Sequence, residues 1–247
     1  MLTVLAVTGA AANRIAAPVW SAMQAREPAL QLPASASAGP SVALALLGGF
    51  RSLAADGLWI QLHATWEKRD WPAADGLVRL VPALDPRAVY FWLNGARIMA
   101  YDFPAWRIEA GGGYQIMPAE EQQRIVRDQA QRALAHLSSA TAYHPASAEL
   151  WIERASIELN RLRDVPAAAE SYRRAAETPG APHYAARLHA EMLRRSGRPA
   201  DALAWLVRLH PTLPAGDETA GVELVLARIR ELERQLGTPP ERAYPAR

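Results

Sequence analysis

Gly197-Arg198-Pro199-Ala200-Asp201-Ala202-Leu203 decides how this chain is read. Glycine and proline side by side mark a break between two helices. The alanines and leucine after them open a new helix with a small residue on its inner face. Asp70-Trp71-Pro72-Ala73-Ala74 has the same character. Working outward from these turns, a triplet recurs in the helix that follows a break. It reads Ala74-Val78-Val81, Ala133-Leu137-Ala140, Ala168-Tyr172-Ala175 and Ala202-Leu206-Leu209. Each starts with alanine, has a larger residue four positions on and another apolar or small one three further. That is the spacing of one helical face. Twelve residues after each first member stands Pro86, Pro145, Gly180 or Pro214, a helix stop.

A second series runs through the preceding helices. Large aromatics stand at Trp59, Trp92, Trp151 and Tyr184, at intervals of 33, 59 and 33 residues. From Ser41 onward Ala, Leu, Arg and Glu dominate, all good helix formers, and no strand pattern is evident. In Glu120–Tyr143 the residues Ile125, Val126, Ala130, Ala133, Leu134, Leu137 and Ala140 line one face. In the last helix Val222, Val225, Leu226, Ile229, Leu232 and Leu236 do so, with Asp217 as its expected cap and Gly237 with Pro239-Pro240 as its end.

Together the two series resemble the tetratricopeptide repeat family. The resemblance covers about Leu58 to Pro214, roughly four repeats. It implies an all-α, TPR-like helical-hairpin solenoid of about four helix pairs with a C-terminal capping helix. The glycine of the family's first helix is replaced throughout, by His63, Ala96, Ala155 and Leu188, four residues after each aromatic. The 59-residue interval places an insertion near Tyr101–Glu121. The competing reading is an Ala-rich bundle whose spacings coincide by chance.

Composition bounds the chemistry. The chain has 247 residues, half of them hydrophobic, 27 basic against 25 acidic, and no cysteine. Disulfides, thiolate metal sites and cysteine nucleophiles are excluded. Lys68 is the single lysine, so the basic residues are otherwise all arginine. The charges are interleaved, which speaks against nucleic acid as a partner. No G-x-S-x-G, phosphate loop or dinucleotide fingerprint is present, and Gly111-Gly112-Gly113 reads as a hinge. The histidines His63, His136, His144, His183, His189 and His210 form no metal-binding spacing. Glu120 and Glu121 suit a helix start. Glu149, Glu153, Arg154 and Glu158 read as a solvated face. The expectation is a chain with no catalytic residues, no metal and no cofactor. An enzyme on a helical scaffold remains the alternative.

Residues 1–26 form an apolar N-terminal segment, too short a run to span a bilayer. They read as the end of a truncated anchor, an amphipathic lead helix or a disordered tail. Residues 27–40 are a Pro/Ala/Ser linker, 41–237 the helical domain and 238–247 a tail. The segment from Ala45 to Trp66, with Leu47-Gly48-Gly49-Phe50-Arg51-Ser52-Leu53-Ala54-Ala55-Asp56-Gly57-Leu58-Trp59 at its centre, resembles bacterial repeat proteins that carry an N-terminal membrane anchor just before such a stretch. That implies a location at the bacterial inner membrane, facing the periplasm, with a soluble cytoplasmic protein as the alternative.

In such an array the first helices line a groove. The expected lining is Ile60, Ala64, Tyr90, Leu93, Arg97, Tyr101, Ile152, Ser156, Asn160, Ala185, His189 and Met192. Its apolar content suits an apolar or aromatic partner segment such as an amphipathic helix. The insertion supplies a second candidate surface in Phe103, Trp106, Arg107 and Tyr114, with the alternative that Phe103 and Trp106 tuck back and plug the groove. The functional expectation is a protein–protein interaction scaffold or accessory subunit of a membrane-associated complex. A permanent structural subunit of such a complex is the runner-up.

Overall fold

The computed structural model describes residues 50–245, and every regular element in them is helical. The expected N-terminal segment and linker lie outside the described residues, as do the last two residues of the tail. The helices are α1 (Arg51–Glu67), α2 (Trp71–Leu84), α3 (Val89–Arg97), α4 (Phe103–Ala110), α5 (Ala119–Thr141), α6 (Ala148–Asn160), α7 (Val165–Glu177), α8 (His183–Arg195), α9 (Pro199–Leu209) and α10 (Val222–Gln235). The described residues fall into two units divided after Gly95, within α3.

In the first unit α1 packs on α2. Ala55, Val81, Leu84 and Phe91 form its core, and Trp59 meets the rings of Tyr90 and Phe91 at 5.6 and 5.2 Å. In the second unit the major contacts follow chain order: α4 with α5, α5 with α6, then α6 with α7, α7 with α8, α8 with α9 and α9 with α10. A helix in such a sequence is covered on two sides.

The recurrent triplets are the packed faces of α2, α5, α7 and α9. Ala74, Ala133, Ala168 and Ala202 are fully buried, and so are Val78, Val81, Leu137, Ala140, Ala175 and Leu206 at or near zero exposure. Tyr172 is buried as well, and Leu209 is half-buried. Alanine at these positions lets a neighbouring helix come close, because its side chain fills almost no space between the axes.

Three of the turns between paired helices are built alike. Arg69, Arg163 and Gly197 each stand five residues before the first alanine of their triplet, and each has a left-handed backbone, with φ of 54°, 57° and 75°. The next residue caps the second helix. Asp70 accepts the N–H of Ala73, and Asp164 that of Ala167. Proline follows within the first turn as Pro72, Pro166 or Pro199, where a missing N–H costs nothing.

The second pair departs from this plan. The five residues Ile98–Asp102 form a π turn joining α3 to α4, and the N–H of Phe103 reaches back to the carbonyl of Ile98. Pro104 explains the wide turn. It has no N–H for the carbonyl of Ala100, and its ring would crowd that carbonyl in a regular helix. The expected insertion is therefore not an open loop. Most of it is helix, followed by a turn at Gly111–Gly113.

Two further expectations need correction. Asp217 does not cap the last helix. Its carboxylate accepts the N–H of Thr219 and opens a short 3-10 turn, Glu218–Ala220, while α10 starts after Gly221. Glu153 and Glu158 are not on a solvated face but are buried, because their partners come from distant parts of the chain.

The turn geometry sets opposite outcomes for two substitutions. A Cβ at Gly197 would meet no atom within 4 Å, so only its backbone conformation resists a side chain. Gly197→Ala is expected to lower stability by about 1 kcal/mol, and Arg163→Gly to raise it by roughly 0.5–1 kcal/mol. Urea unfolding of the two variants checks this.

Candidate functional site

The site begins where α3 runs into the π turn beside α6. Arg97 at the end of α3 reaches the carboxylate of Glu153 on α6, its Nε and Nη2 each 2.7 Å from Oε2. Glu153 is nearly enclosed, whereas Arg97 is half open to solvent. One turn on, the Tyr101 hydroxyl lies 3.4 Å from Ser156 Oγ, which also accepts the Asn160 amide at 3.2 Å. The Arg161 guanidinium sits 5.1 Å from the centre of the Tyr101 ring, a cation–π arrangement. Glu153, Ser156 and Asn160 follow helical spacing, so they present one ladder to the strip that carries Arg97 and Tyr101. The π turn delivers Tyr101 to it.

Behind this seam the buried polar groups are held from α7. Glu158 accepts the Ser171 hydroxyl at 2.6 Å and Arg154 Nε at 2.9 Å. Burial pushes the Glu158 carboxyl above its ordinary value, against the pull of Ser171 and Arg154. Burial likewise raises the Tyr172 hydroxyl, with Tyr184, Glu153 and Tyr101 adding to the rise. Those three groups therefore bear electrostatically on Tyr172.

The seam ends in a cleft of about 390 Å³. The cleft lies among the end of α4, the glycine turn, the first half of α5 and the α6–α7 turn. Ile108, Tyr114, Gln122, Gln123, Val126, Arg127, Asn160, Arg161, Leu162 and Arg163 line it with Ala119. Gln122 fixes the rim by donating to the carbonyls of Tyr114 and Met117 at 2.9 and 2.8 Å. Tyr114 and Ile116 project from the same turn, 53 % and 76 % exposed.

Sequence reasoning assigned residues to a groove, and the structure distributes them. Arg97, Tyr101, Ser156 and Asn160 come together in the seam. Ile152 is half-buried against the core around Ala155, Ala168 and Met192. His189 and Met192 do not line an open surface. Met192 belongs to that core, and His189 is buried with Nδ1 2.7 Å from the Ala169 carbonyl and its ring 4.5 Å from that of Trp205. Ala185 is also buried. Ile60 and Tyr90 are exposed and Leu93 half-buried in the first unit.

The insertion divides in the same way. Phe103 and Trp106 are buried, their rings 5.5 Å apart, so they are packing residues and not a projecting surface. Arg107 is half-buried and pairs with Asp128 at 3.1 Å. Tyr114 alone of the four is exposed, and it lines the same cleft as Asn160. The sequence reading missed Arg127, Arg161 and Arg163. The signal available for them was the lack of an acidic residue at helical spacing to Arg127, and a pair of arginines in an inter-helix turn.

No protein-family model matches this chain, and no curated protein matches it significantly. The class defined by fold and site is all-helical in its described residues, with second-unit helices that pack in chain order, a polar seam and a basic cleft. Among the described residues no group of three or more acidic or histidine side chains could hold a metal ion. Nor is any described helix long and apolar enough to cross a membrane.

His189 gives a pH prediction. Burial lowers its pKa from 6.5; the Arg173 charge lowers it further, while the Ala169 carbonyl, Glu170 and Glu177 oppose the fall. The ring is thus harder to protonate folded than unfolded. Its contribution is complete above pH 6.5 and is lost as the pH falls below it. The raised Glu158 acts in the opposite sense at lower pH. Unfolding midpoints measured from about pH 7.5 to 5.5 should fall more steeply for the parent chain than for His189→Gln.

Proposed function

We propose that this chain is a protein–protein interaction scaffold of the tetratricopeptide type, serving as an accessory subunit of a larger bacterial membrane-associated assembly. The observation that carries the reading is the fourfold triplet on second helices, buried in all its members but the half-buried Leu209. In three pairs a shared turn precedes it, and the helices pack in chain order. Repeats of this kind expose a continuous face made by the first helices, and such faces bind protein segments. The seam of Arg97, Tyr101, Ser156 and Asn160 is that face in the second unit. Tyr114 and Ile116 beside it are exposed anchors of the kind that dominate interface energetics.

The partner is a protein segment that contacts the exposed aromatic and polar groups of this surface. With His189 and Met192 withdrawn into the core, an apolar helix has less to bury there than the sequence suggested. The membrane association, inner and periplasm-facing, rests on the resemblance of the segment Ala45 to Trp66 to membrane-anchored repeat proteins.

The test is a mild-detergent purification of the tagged full chain from its native membranes, with mass spectrometry of what accompanies it. The expected result is stoichiometric recovery with other subunits. The double variant Tyr114→Ala/Ile116→Ala should lose them while its thermal unfolding stays within about 1 °C, since both side chains are largely in solvent. Recovery of the chain alone from the soluble fraction would overturn the reading.

A further inference from the structure

The arginines of the second unit are mostly committed. Arg97, Arg107, Arg154, Arg173, Arg194 and Arg230 each hold a carboxylate at 2.6 to 3.1 Å. The cleft breaks that pattern. Arg127, Arg161 and Arg163 all line it, and none of them forms an ion pair. The Arg161 Nε is enclosed and has no hydrogen-bond partner. No carboxylate lines the cleft. The acidic residues adjacent in sequence are held by other groups: Asp164 caps Ala167 at 3.0 Å, and Asp128 pairs with Arg107 at 3.1 Å and Arg132 at 3.4 Å. An adjoining hollow shares Asn160 and Arg163 and adds Arg195, a fourth guanidinium without an ion pair.

Three arginines without a carboxylate partner line one concave site, Arg127 and Arg163 exposed and Arg161 stacked on the Tyr101 ring, and their like charges add to a field that draws an anion in. A chain that pairs most of its surface arginines has left these together. We propose that the cleft binds a phosphate group, carried by a small soluble phosphate ester or by a phospholipid headgroup. The chemistry favours phosphate over a single carboxylate. A carboxylate offers one planar edge and one charge, enough for one guanidinium fork. A phosphate offers three oxygens around a tetrahedron and close to two charges, so several forks engage it at once. Gln123 and Asn160 add neutral amides at the wall. The volume of about 390 Å³ leaves room for the organic part of an ester beside the phosphate. The cleft shares Tyr114 and Asn160 with the proposed partner surface, but its test reads a ligand and not a partner protein, so either reading can fail without the other.

The experiment is calorimetric titration of the full chain with inorganic phosphate at low ionic strength, with succinate as the carboxylate comparison. Saturable binding of one phosphate per chain is expected, at least ten-fold tighter than succinate. Arg161→Gln and Arg163→Gly should each weaken it ten-fold or more. Arg163→Gly is the informative variant, because removing a left-handed arginine leaves the fold at least as stable, so lost binding cannot be ascribed to unfolding. Arg132→Gln, at an arginine that faces Asp128 at 3.4 Å, should bind like the parent. A parallel flotation assay uses phosphatidylcholine vesicles with and without phosphatidic acid. Flotation lost in the same variants assigns the phosphate to a lipid, and phosphate binding without flotation assigns it to a soluble ester. Absence of phosphate binding, equal affinity for succinate, or binding unchanged in Arg161→Gln and Arg163→Gly would overturn the proposal.

Discussion

The close approach of helices at Ala74, Ala133, Ala168 and Ala202 is the constraint on which the remaining structure depends. Each of these residues is fully enclosed, and each lies at the inner face of a second helix. A larger side chain there would hold the neighbouring helix away and open the contacts made by Val78, Leu137, Tyr172 and Leu206 four residues on. Because each helix of the second unit then rests on its chain neighbours, stability there accumulates locally from pair to pair. The left-handed residue before the cap serves this contact too. It reverses the chain within a few residues, which places the alanine opposite the helix just completed. Arginine in that conformation at positions 69 and 163 shows that the turn is imposed by the pairing, since a bulky residue would not choose it alone.

Burial on two sides explains why the groove was only half legible. In α8 the buried residues are Ala185, Ala186, His189, Ala190, Met192 and Leu193, which encircle more than one face. A sequence reading that allots one face to the core and the opposite one to a groove must misplace some of them. His189 and Met192 fall on the side turned to neighbouring helices, where His189 finds the Ala169 carbonyl and the Trp205 ring. The triplets on α2, α5, α7 and α9 were legible because alanine, a larger residue and a further apolar one leave a periodic signal in the chain itself. The turns were legible because glycine, proline and aspartate each have local backbone reasons to be there.

The buried acids had no such signal. Glu153 and Glu158 are spaced like an exposed helix face, and in sequence they neighbour Arg154 as any surface pair would. What encloses them is distant: Arg97 is 56 residues away from Glu153, and Ser171 is 13 from Glu158. Burying a carboxylate is costly unless charge and hydrogen bonds return what water supplied. Each of the two has an arginine, and Glu158 has a hydroxyl as well. The pair thereby fixes how α6 lies against the strip before the π turn and against α7, a specificity that apolar contacts alone supply less sharply.

The second helix pair is where regular repetition stops, and the candidate site is built there for that reason. Pro104 forbids a regular helix through Ala100, so the chain takes the wide turn Ile98–Asp102 and continues as α4. Burial of Phe103, Trp106 and Ile108 anchors this added helix. The extra length must then return to α5 through the glycine turn, and that return leaves a gap facing the α6–α7 turn. In the third and fourth pairs four and three residues connect the two helices, so no such gap forms within them. The cleft is thus a consequence of the inserted helix, and Arg127 reaches it only because α5, at 23 residues, begins well before its triplet does. Had the second pair kept the plain 34-residue plan, Arg161 and Arg163 would stand on an open turn with nothing across from them. The departure from the repeat, more than the repeat itself, is what gives this unit a concave place for a ligand.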